Sequence, residues 1–236
     1  GSGNHAMTRA DRKILVVTDN FPPRLGGIAN LLHLFCSSFP PNLISVVAPK
    51  SRVVLGRDTE VTAFDQTQKY RIRRIFYPGL DGNPLLVTFS ILHLTVRATM
   101  AFWSDRCSFA LLGKIWPIAP LAVVLHTLGI PYVVNCYGND VLKPLRGIQK
   151  TLRLRGLKRA ACVIACSEFT RERVIEMGVS PDRAGAILPK VDARLFDDRI
   201  DVAAFKKKEG LEGKKIILTV GRIVRRKGHL EVLHVL

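Results

Sequence analysis

Short runs of consecutive apolar residues, many of them β-branched, are the feature that most constrains the fold of this 236-residue chain. Such a run lacks the polar alternation of a strand with one face in water, so it predicts a strand buried on both faces, as in a parallel sheet. The runs occupy residues 14–17, 43–47, 109–112, 132–134 and 162–166. In the segments between these runs, apolar residues recur at helical spacing. The alternation predicts an α/β fold, a parallel sheet with helices on both faces.

Three further segments are less uniform. Residues 70–77 alternate arginine with isoleucine, which predicts a more exposed strand. Residues 85–103 form an apolar helical pattern containing His93 and Arg97. This helix either packs on the sheet or faces a membrane or an acceptor. Residues 50–68 show no clear pattern and are left unassigned.

The loop after the first predicted strand ends in two adjacent glycines, Gly26 and Gly27, just where a helix is predicted to begin. Two glycines allow positive φ and a close approach of the backbone to a phosphate. The loop lacks the G-x-G-x-x-G pattern, so it does not support a dinucleotide-binding dehydrogenase.

The end of the chain shows a second strand, loop and helix pattern, and its loop is more strongly charged. The run 216–220 predicts a buried strand, and apolar residues after Gly228 predict a helix. The loop between them carries Arg222 and Lys227. A loop that leads into a helix N-terminus and holds two cations suits a pyrophosphate.

A polar loop, residues 135–140, follows another predicted strand. Ligands of open α/β sheets bind at the carboxyl ends of the strands, so Tyr137, Gly138 and Asp140 are candidate site residues.

These motifs together resemble family 4 retaining glycosyltransferases of the two-domain GT-B type, most of all phosphatidylinositol mannosyltransferases. The motifs are Phe-Pro-Pro-Arg-x-Gly-Gly at 21–27, Tyr-Gly-Asn-Asp at 137–140, the linker at 187–192 and Gly-Arg-x-x-x-x-Lys-Gly at 221–228. The resemblance implies that Gly26, Gly27, Gly138, Arg222 and Lys227 bind the donor. It also implies catalytic roles for Asp140 and for Tyr137, which stands where the family commonly has histidine.

The resemblance implies transfer of a hexose, such as mannose, from a nucleotide-diphosphate sugar to an acceptor hydroxyl with retention and without a metal or other cofactor. It also implies a domain plan. Residues 1–6 are predicted to be an expression-tag remnant, and residues 7–200 a GT-B Rossmann-like domain on the acceptor side. Residues 201–236 are predicted to form the truncated start of a second, donor-binding Rossmann-like domain. On this plan the chain folds but is an inactive fragment.

The formal charge of the chain is +17, and its cations are unevenly placed. Four of them, spaced three, four and three residues apart, predict one basic face of a helix: Lys143, Arg146, Lys150 and Arg153. Together with Arg24 they are candidates for contact with an anionic lipid or glycan acceptor, or with a membrane surface. The predicted location is the cytoplasm, with peripheral attachment to the cytoplasmic face of the membrane as an open alternative.

Five cysteines without paired metal-ligand spacing predict reduced, buried thiols and no metal site: Cys36, Cys107, Cys136, Cys162 and Cys166. Ser167 is interpreted as a helix cap and not as a nucleophile. Two alternatives stay open. One is a GT-B sugar-nucleotide 2-epimerase. The other is a basic nucleic-acid-binding protein, although few aromatics accompany the cations and no such motif is present, so no nucleic acid is expected.

Overall fold

The computed structural model describes residues 12–50, 58–77, 83–144, 146–189, 201–221 and 223–235. The chain divides into two compact units, Gly1–Lys190 and Val191–Leu236. The expected tag remnant and residues 190–200 lie outside the described residues, so the tag and the domain boundary predicted at residue 200 stay predictions.

The first unit is built on a parallel sheet of seven strands in the order β3-β2-β1-β4-β5-β6-β7. The strands are β1 Ile14–Val17, β2 Ile44–Pro49, β3 Arg71–Ile75, β4 Phe109–Leu112, β5 Tyr132–Cys136, β6 Cys162–Ala165 and β7 Ala184–Ala186. The chain first runs outward from β1 to β3, then returns to pair β4 with the other side of β1. The direction of winding therefore reverses between β1 and β4.

Helices follow the strands and cover both faces of this sheet. Those of the first unit are α1 Gly27–Ser37, α2 Asp58–Thr67, α3 Pro84–Ser104, α4 Ala119–Thr127, α5 Gly138–Leu142, α6 Gly147–Lys158 and α7 Glu168–Glu176. Along β1, Leu15 and Val17 belong to the apolar cluster that includes buried residues of α3, α4 and α6. Ile14 and Val16 belong to the opposite cluster, with α1. The predicted α/β fold with helices on both faces is confirmed.

Three elements of the first unit were not predicted from the sequence. The short helix α5 begins inside the segment 135–140 that was predicted to be a polar loop, and β5 extends to Cys136 at the start of that segment. Helix α2 carries mostly polar and acidic residues, so its apolar periodicity is weak. Strand β7 has only three residues, Ala-Gly-Ala, with none of the large β-branched side chains that mark a strand. Pairing with β6 places it at the edge of the sheet.

The predicted strand 216–220 of the second unit is wrong for this structure. Residues 214–220 form no strand, and the side chains in this run are exposed, Leu218 at 79% and Val220 at 84%. A strand that is apolar on both faces needs neighbouring strands and covering helices. Among the described residues of this unit there are only two α-helices, α8 Val202–Lys208 and α9 His229–Val235. The helix predicted after Gly228 is confirmed as α9.

Helix α3 is 21 residues long and has two unlike faces. Leu94, Ala98 and Phe102 are buried in the core, which confirms that the helix packs on the sheet. By length and hydropathy α3 meets the criteria for a membrane-crossing helix, with 33% of its most apolar window buried. Large apolar residues stay exposed along its other face: Leu85, Phe89, Leu92, Val96, Met100 and Trp103.

A buried carboxylate fastens the end of α3 to the outer strands. Asp105, directly after α3, has a fully buried side chain that accepts hydrogen bonds from Ser45 of β2 and from Arg71 and Arg73 of β3. The hydrogen bonds from Arg73 are the main reason why the pKa of Asp105 falls from its ordinary 3.8 to about 2. The carboxylate is therefore ionised at neutral pH and links three elements.

We predict that D105N lowers the free energy of unfolding by about 3 kcal/mol at pH 7, because it removes one partner of a buried ionic network. A carboxylate with a lowered pKa stabilises the fold above its unfolded-state pKa. This contribution, present above pH 3.8, should be lost as the pH falls towards 2. Urea titrations at several pH values measure both effects. The control is E172Q on the exposed surface of α7, and an equal loss in the two variants would contradict the assignment.

Candidate functional site

The carboxyl ends of β1 and β4 meet where the sheet reverses its winding, which is the usual position of a ligand crevice in an open α/β sheet. Val17 pairs with Leu112 at this point. The loop 18–26 leaves β1, and Gly113 and Lys114 leave β4. A side chain at Gly113 would come within 2.8 Å of Leu32 and 2.9 Å of Thr18, so glycine is required for α1 to pack against β4.

The paired glycines lie at the start of α1. Gly26 is the N-cap residue with φ of 161°, an extended conformation open to any residue, so the positive φ anticipated from the sequence is not observed there. A side chain at Gly27 would meet no atom of the described residues within 4 Å. Side-chain packing therefore does not require glycine at these two positions. They leave open space over the first backbone N–H groups of α1, where the helix dipole favours an anion.

The glycine loop is held in place from β3. Arg74 donates a hydrogen bond of 2.5 Å to the backbone oxygen of Pro22. It also donates to both carboxylate oxygens of Asp65 in α2, at 2.7 to 3.2 Å. Its guanidinium also lies 5.8 Å from the ring centre of the buried Phe21. These contacts fix the position of the loop where it enters α1.

An ion pair that the sequence analysis missed bridges the two strand ends. Lys114 Nζ lies 2.8 Å from Asp19 Oδ2, and both side chains are largely buried. The other oxygen of Asp19 is buried without a hydrogen-bond partner in the part of the chain that the structure describes. Each residue lies two positions after the end of its strand, β1 or β4, and this position is the signal that could have identified them.

Asp140 and Tyr137 lie one strand further along, at the N-terminus of α5. The carboxylate of Asp140 accepts a hydrogen bond of 3.0 Å from the backbone N–H of Tyr137 and is buried. Burial raises the pKa of Asp140 to about 6, while the N–H of Tyr137 and the charge of Lys114 oppose this shift. Asp140 therefore fixes the first turn of α5, and its catalytic role stays a prediction.

The side chain of Tyr137 stays protonated at neutral pH. Burial, the main cause, together with the charge of Asp140 raises the pKa of Tyr137 to about 12. Its hydroxyl can therefore donate a hydrogen bond to a sugar oxygen. At Gly138, the first residue of α5, an added Cβ would meet no atom within 4 Å in the part of the chain that the structure describes.

The predicted basic stripe does not exist as one helical face. Helix α5 ends at Leu142 and α6 begins only at Gly147, so Lys143 and Arg146 precede the helix that carries Lys150 and Arg153. Arg153 is buried and donates to the backbone oxygens of Asp140 and Lys143, each at 2.9 Å. Its role is to join α6 to α5. Lys143, Arg146 and Lys150 are exposed.

The remaining predicted site residues are Arg24 in the glycine loop and the two cations of the second unit, Arg222 and Lys227. Arg24 is exposed at the tip of the glycine loop. In the second unit, Lys227 ends a 3-10 turn, Arg225–Lys227, and its aliphatic carbons come within 3.7 Å of the position of a side chain at Gly221. Arg222 lies outside the described residues. The donor-binding roles of these residues stay predictions.

Comparisons with known proteins agree with this architecture. A family model described as "Glycosyl transferase 4-like domain" matches residues 45–188. Anabaena HepE, solved in complex with UDP, superposes with a TM-score of 0.60 at 16% identity over 84% of this chain and 50% of that chain, which shows the fold.

Two curated relatives match most of this chain. One is a GDP-mannose-dependent monoacylated α-(1-6)-phosphatidylinositol monomannoside mannosyltransferase of Corynebacterium glutamicum, 28% identical over 93% of this chain and 55% of the relative. The other is a GDP-mannose-dependent α-(1-6)-phosphatidylinositol monomannoside mannosyltransferase of Mycolicibacterium smegmatis, 25% identical over 91% and 54%. The chain spans about half the length of each.

We predict that D140N gains stability relative to the wild type as the pH rises from 4 to 7. A buried carboxylate with a raised pKa destabilises the fold where it is ionised, so the cost of Asp140 appears as the pH rises from 3.8 through 6. The difference in unfolding free energy should change by up to about 3 kcal/mol in favour of D140N. Chemical denaturation across this range measures it, with E172Q as control. A difference independent of pH would refute the assignment.

Proposed function

Because the chain belongs to the glycosyl transferase 4-like domain family, we propose that it is the acceptor-side half of a retaining glycosyltransferase that uses a nucleotide-diphosphate sugar. The observation that carries this proposal is the N-terminus of α1 at Gly26 and Gly27, where no described side chain caps the helix, at the point where the sheet reverses its winding. That position combines the usual ligand crevice with an anion-binding helix end.

The donor diphosphate gains negative charge as the sugar leaves, and the proposed machinery stabilises that charge. Backbone N–H groups at Gly27 and the next residues of α1 supply fixed donors on this half. Arg222 and Lys227 supply cations in the second unit. A leaving group stabilised in this way needs no resident metal, and we propose that none takes part.

Tyr137 is proposed to orient the donor sugar. Its neutral hydroxyl donates a hydrogen bond, as a neutral imidazole does, and the bond from its backbone N–H to Asp140 fixes the turn that holds it. Lys114 and Asp19 are proposed to complete the polar wall of the crevice. The buried oxygen of Asp19 has spare capacity to accept a hydrogen bond from a sugar hydroxyl.

The names of the two relatives suggest mannose as the sugar, GDP-mannose as the donor and a phosphatidylinositol mannoside as the acceptor. We propose this substrate class for the whole protein. A lipid-linked acceptor places its reactive hydroxyl near a membrane surface, so the enzyme must work at that surface. We propose peripheral attachment on the cytoplasmic side.

Helix α3 is the proposed contact with the membrane, in place of the basic stripe. Its exposed row of large apolar residues contains no acidic residue, and Arg97 is the only formal charge in the helix. An interfacial helix of this kind buries its apolar face at the boundary of headgroups and acyl chains. The opposite face of α3 stays in the protein core, which orients the sheet relative to the membrane.

We predict that the whole protein transfers mannose from GDP-mannose to a phosphatidylinositol mannoside with retention, at a rate that a chelator leaves unchanged. Replacing Arg222 or Lys227 with alanine should lower kcat about tenfold to a hundredfold, because each charge-assisted bond to the leaving group contributes roughly 1.5–3 kcal/mol. Transfer of radiolabelled mannose measures the rate, and NMR of the product shows whether the anomeric configuration is retained. R225A is the matched control, since Arg225 is an exposed cation in the same loop.

Two results would contradict this proposal. Unchanged catalytic constants in R222A and K227A would mean that the loop is merely solvated. Release of an epimerised sugar without any acceptor would instead favour a 2-epimerase.

We also predict that Trp103 enters the bilayer when the protein binds vesicles containing anionic lipid. Trp103 is 60% exposed on α3, so its fluorescence should shift to the blue in a W116F background. L92E should weaken binding, because it places a charge in the middle of the apolar row. The matched control is L128E, at an exposed leucine that follows α4. Equal loss in both variants, or no shift of Trp103, would exclude α3 as the contact.

A further inference from the structure

A small groove lies between α3 and the outer strands of the first unit. Its floor is apolar and includes Val47 of β2, Ile75 of β3 and Ala101 of α3. Arg73, Arg97, Met100 and Ser104 complete the lining. The groove has a volume of about 200 Å³, roughly that of seven water molecules in the liquid.

Among the described residues, the groove carries more positive charge than the neighbouring carboxylates balance. Three guanidinium groups, those of Arg71, Arg73 and Arg97, lie in or next to it, and Asp105 is the carboxylate that pairs with two of them. Asp105 is fully engaged by Ser45, Arg71 and Arg73. Arg97 has no hydrogen-bond or ion-pair partner among the described residues. The cluster thus has an excess of positive charge that an anion would neutralise.

The size and the lining restrict what the anion can be. A pocket for a complete small-molecule ligand usually has about 300–1,000 Å³, so this groove holds only part of a larger molecule. Guanidinium groups bind phosphate oxygens through paired N–H donors. The apolar floor beside them suits a short stretch of carbon chain. A phosphate attached to an apolar group fits both parts.

The groove adjoins the proposed membrane contact. Met100 lines the groove and also belongs to the exposed apolar row of α3. When α3 lies in the headgroup region, Arg97 is at the level of the lipid phosphates. We infer that this groove binds the phosphate group of an anionic membrane lipid, at a site separate from the sugar donor. The inference rests on the membrane contact proposed for α3.

Soluble short-chain lipids test the site without a bilayer and without a sugar donor, so failure of membrane insertion or of sugar transfer does not affect the result. Short-chain phosphatidic acid is titrated into the 236-residue chain below its micelle concentration, and the arginine Nε–Hε signals are followed by ¹⁵N NMR. We expect the signals of Arg97 and Arg73 to shift. R97Q should weaken binding about tenfold or more, because it removes a charge-assisted hydrogen bond.

The control is R155Q, which removes the same charge from an exposed position on α6. It should leave the affinity unchanged, and both variants should keep the thermal stability of the wild type, since neither side chain has a partner in the described structure. Equal weakening by R97Q and R155Q would show a general charge effect and overturn the inference. Equal affinity for inorganic phosphate would make the ligand a free phosphate, and equal affinity for short-chain phosphatidylcholine would exclude a site for anionic lipid.

Discussion

The pairing of β1 with strands on both sides is the constraint on which the candidate site depends. Its four residues are all buried, and alternate side chains pack into the two apolar cores. Because β2 lies on one side and β4 on the other, the loops that leave β1 and β4 diverge to opposite faces. The crevice between them receives the glycine-opened end of α1 together with Asp19 and Lys114. The pairing of β1 with β2 and β4 therefore both stabilises the core and positions the residues of the crevice.

The buried carboxylates of Asp105 and Asp140 have opposite effects on the stability of the fold, and their surroundings explain the difference. Asp105 has a lowered pKa because arginines surround it, so its ionised form stabilises the fold. Asp140 has a raised pKa because burial outweighs its favourable partners, so its ionised form costs stability. A group that is kept where it costs stability is a stronger functional candidate than one that stabilises the fold.

The cations fall into two classes once the structure is known. Arg73, Arg74 and Arg153 are held by carboxylates or backbone oxygens and serve to join elements. Arg97, Lys143, Arg146 and Lys150 are exposed and have no ion-pair partner in the described residues. The exposed cations are therefore the ones available for an anionic surface or ligand, while the net charge of +17 already counts the paired arginines against their carboxylates.

The sequence by itself determined strands β1 to β6, most of the longer helices and the class of fold, because runs buried on both faces and helical spacing are local patterns. It also located Gly26, Gly27, Tyr137 and Asp140 at the carboxyl ends of strands. Only the tertiary structure decided which side chains contact one another. It paired Lys114 with Asp19 across two strands distant in sequence, and it buried Arg153 against α5 although its spacing suggested an exposed stripe. It also left 216–220 without a sheet, since a strand forms only where neighbouring strands supply its hydrogen bonds.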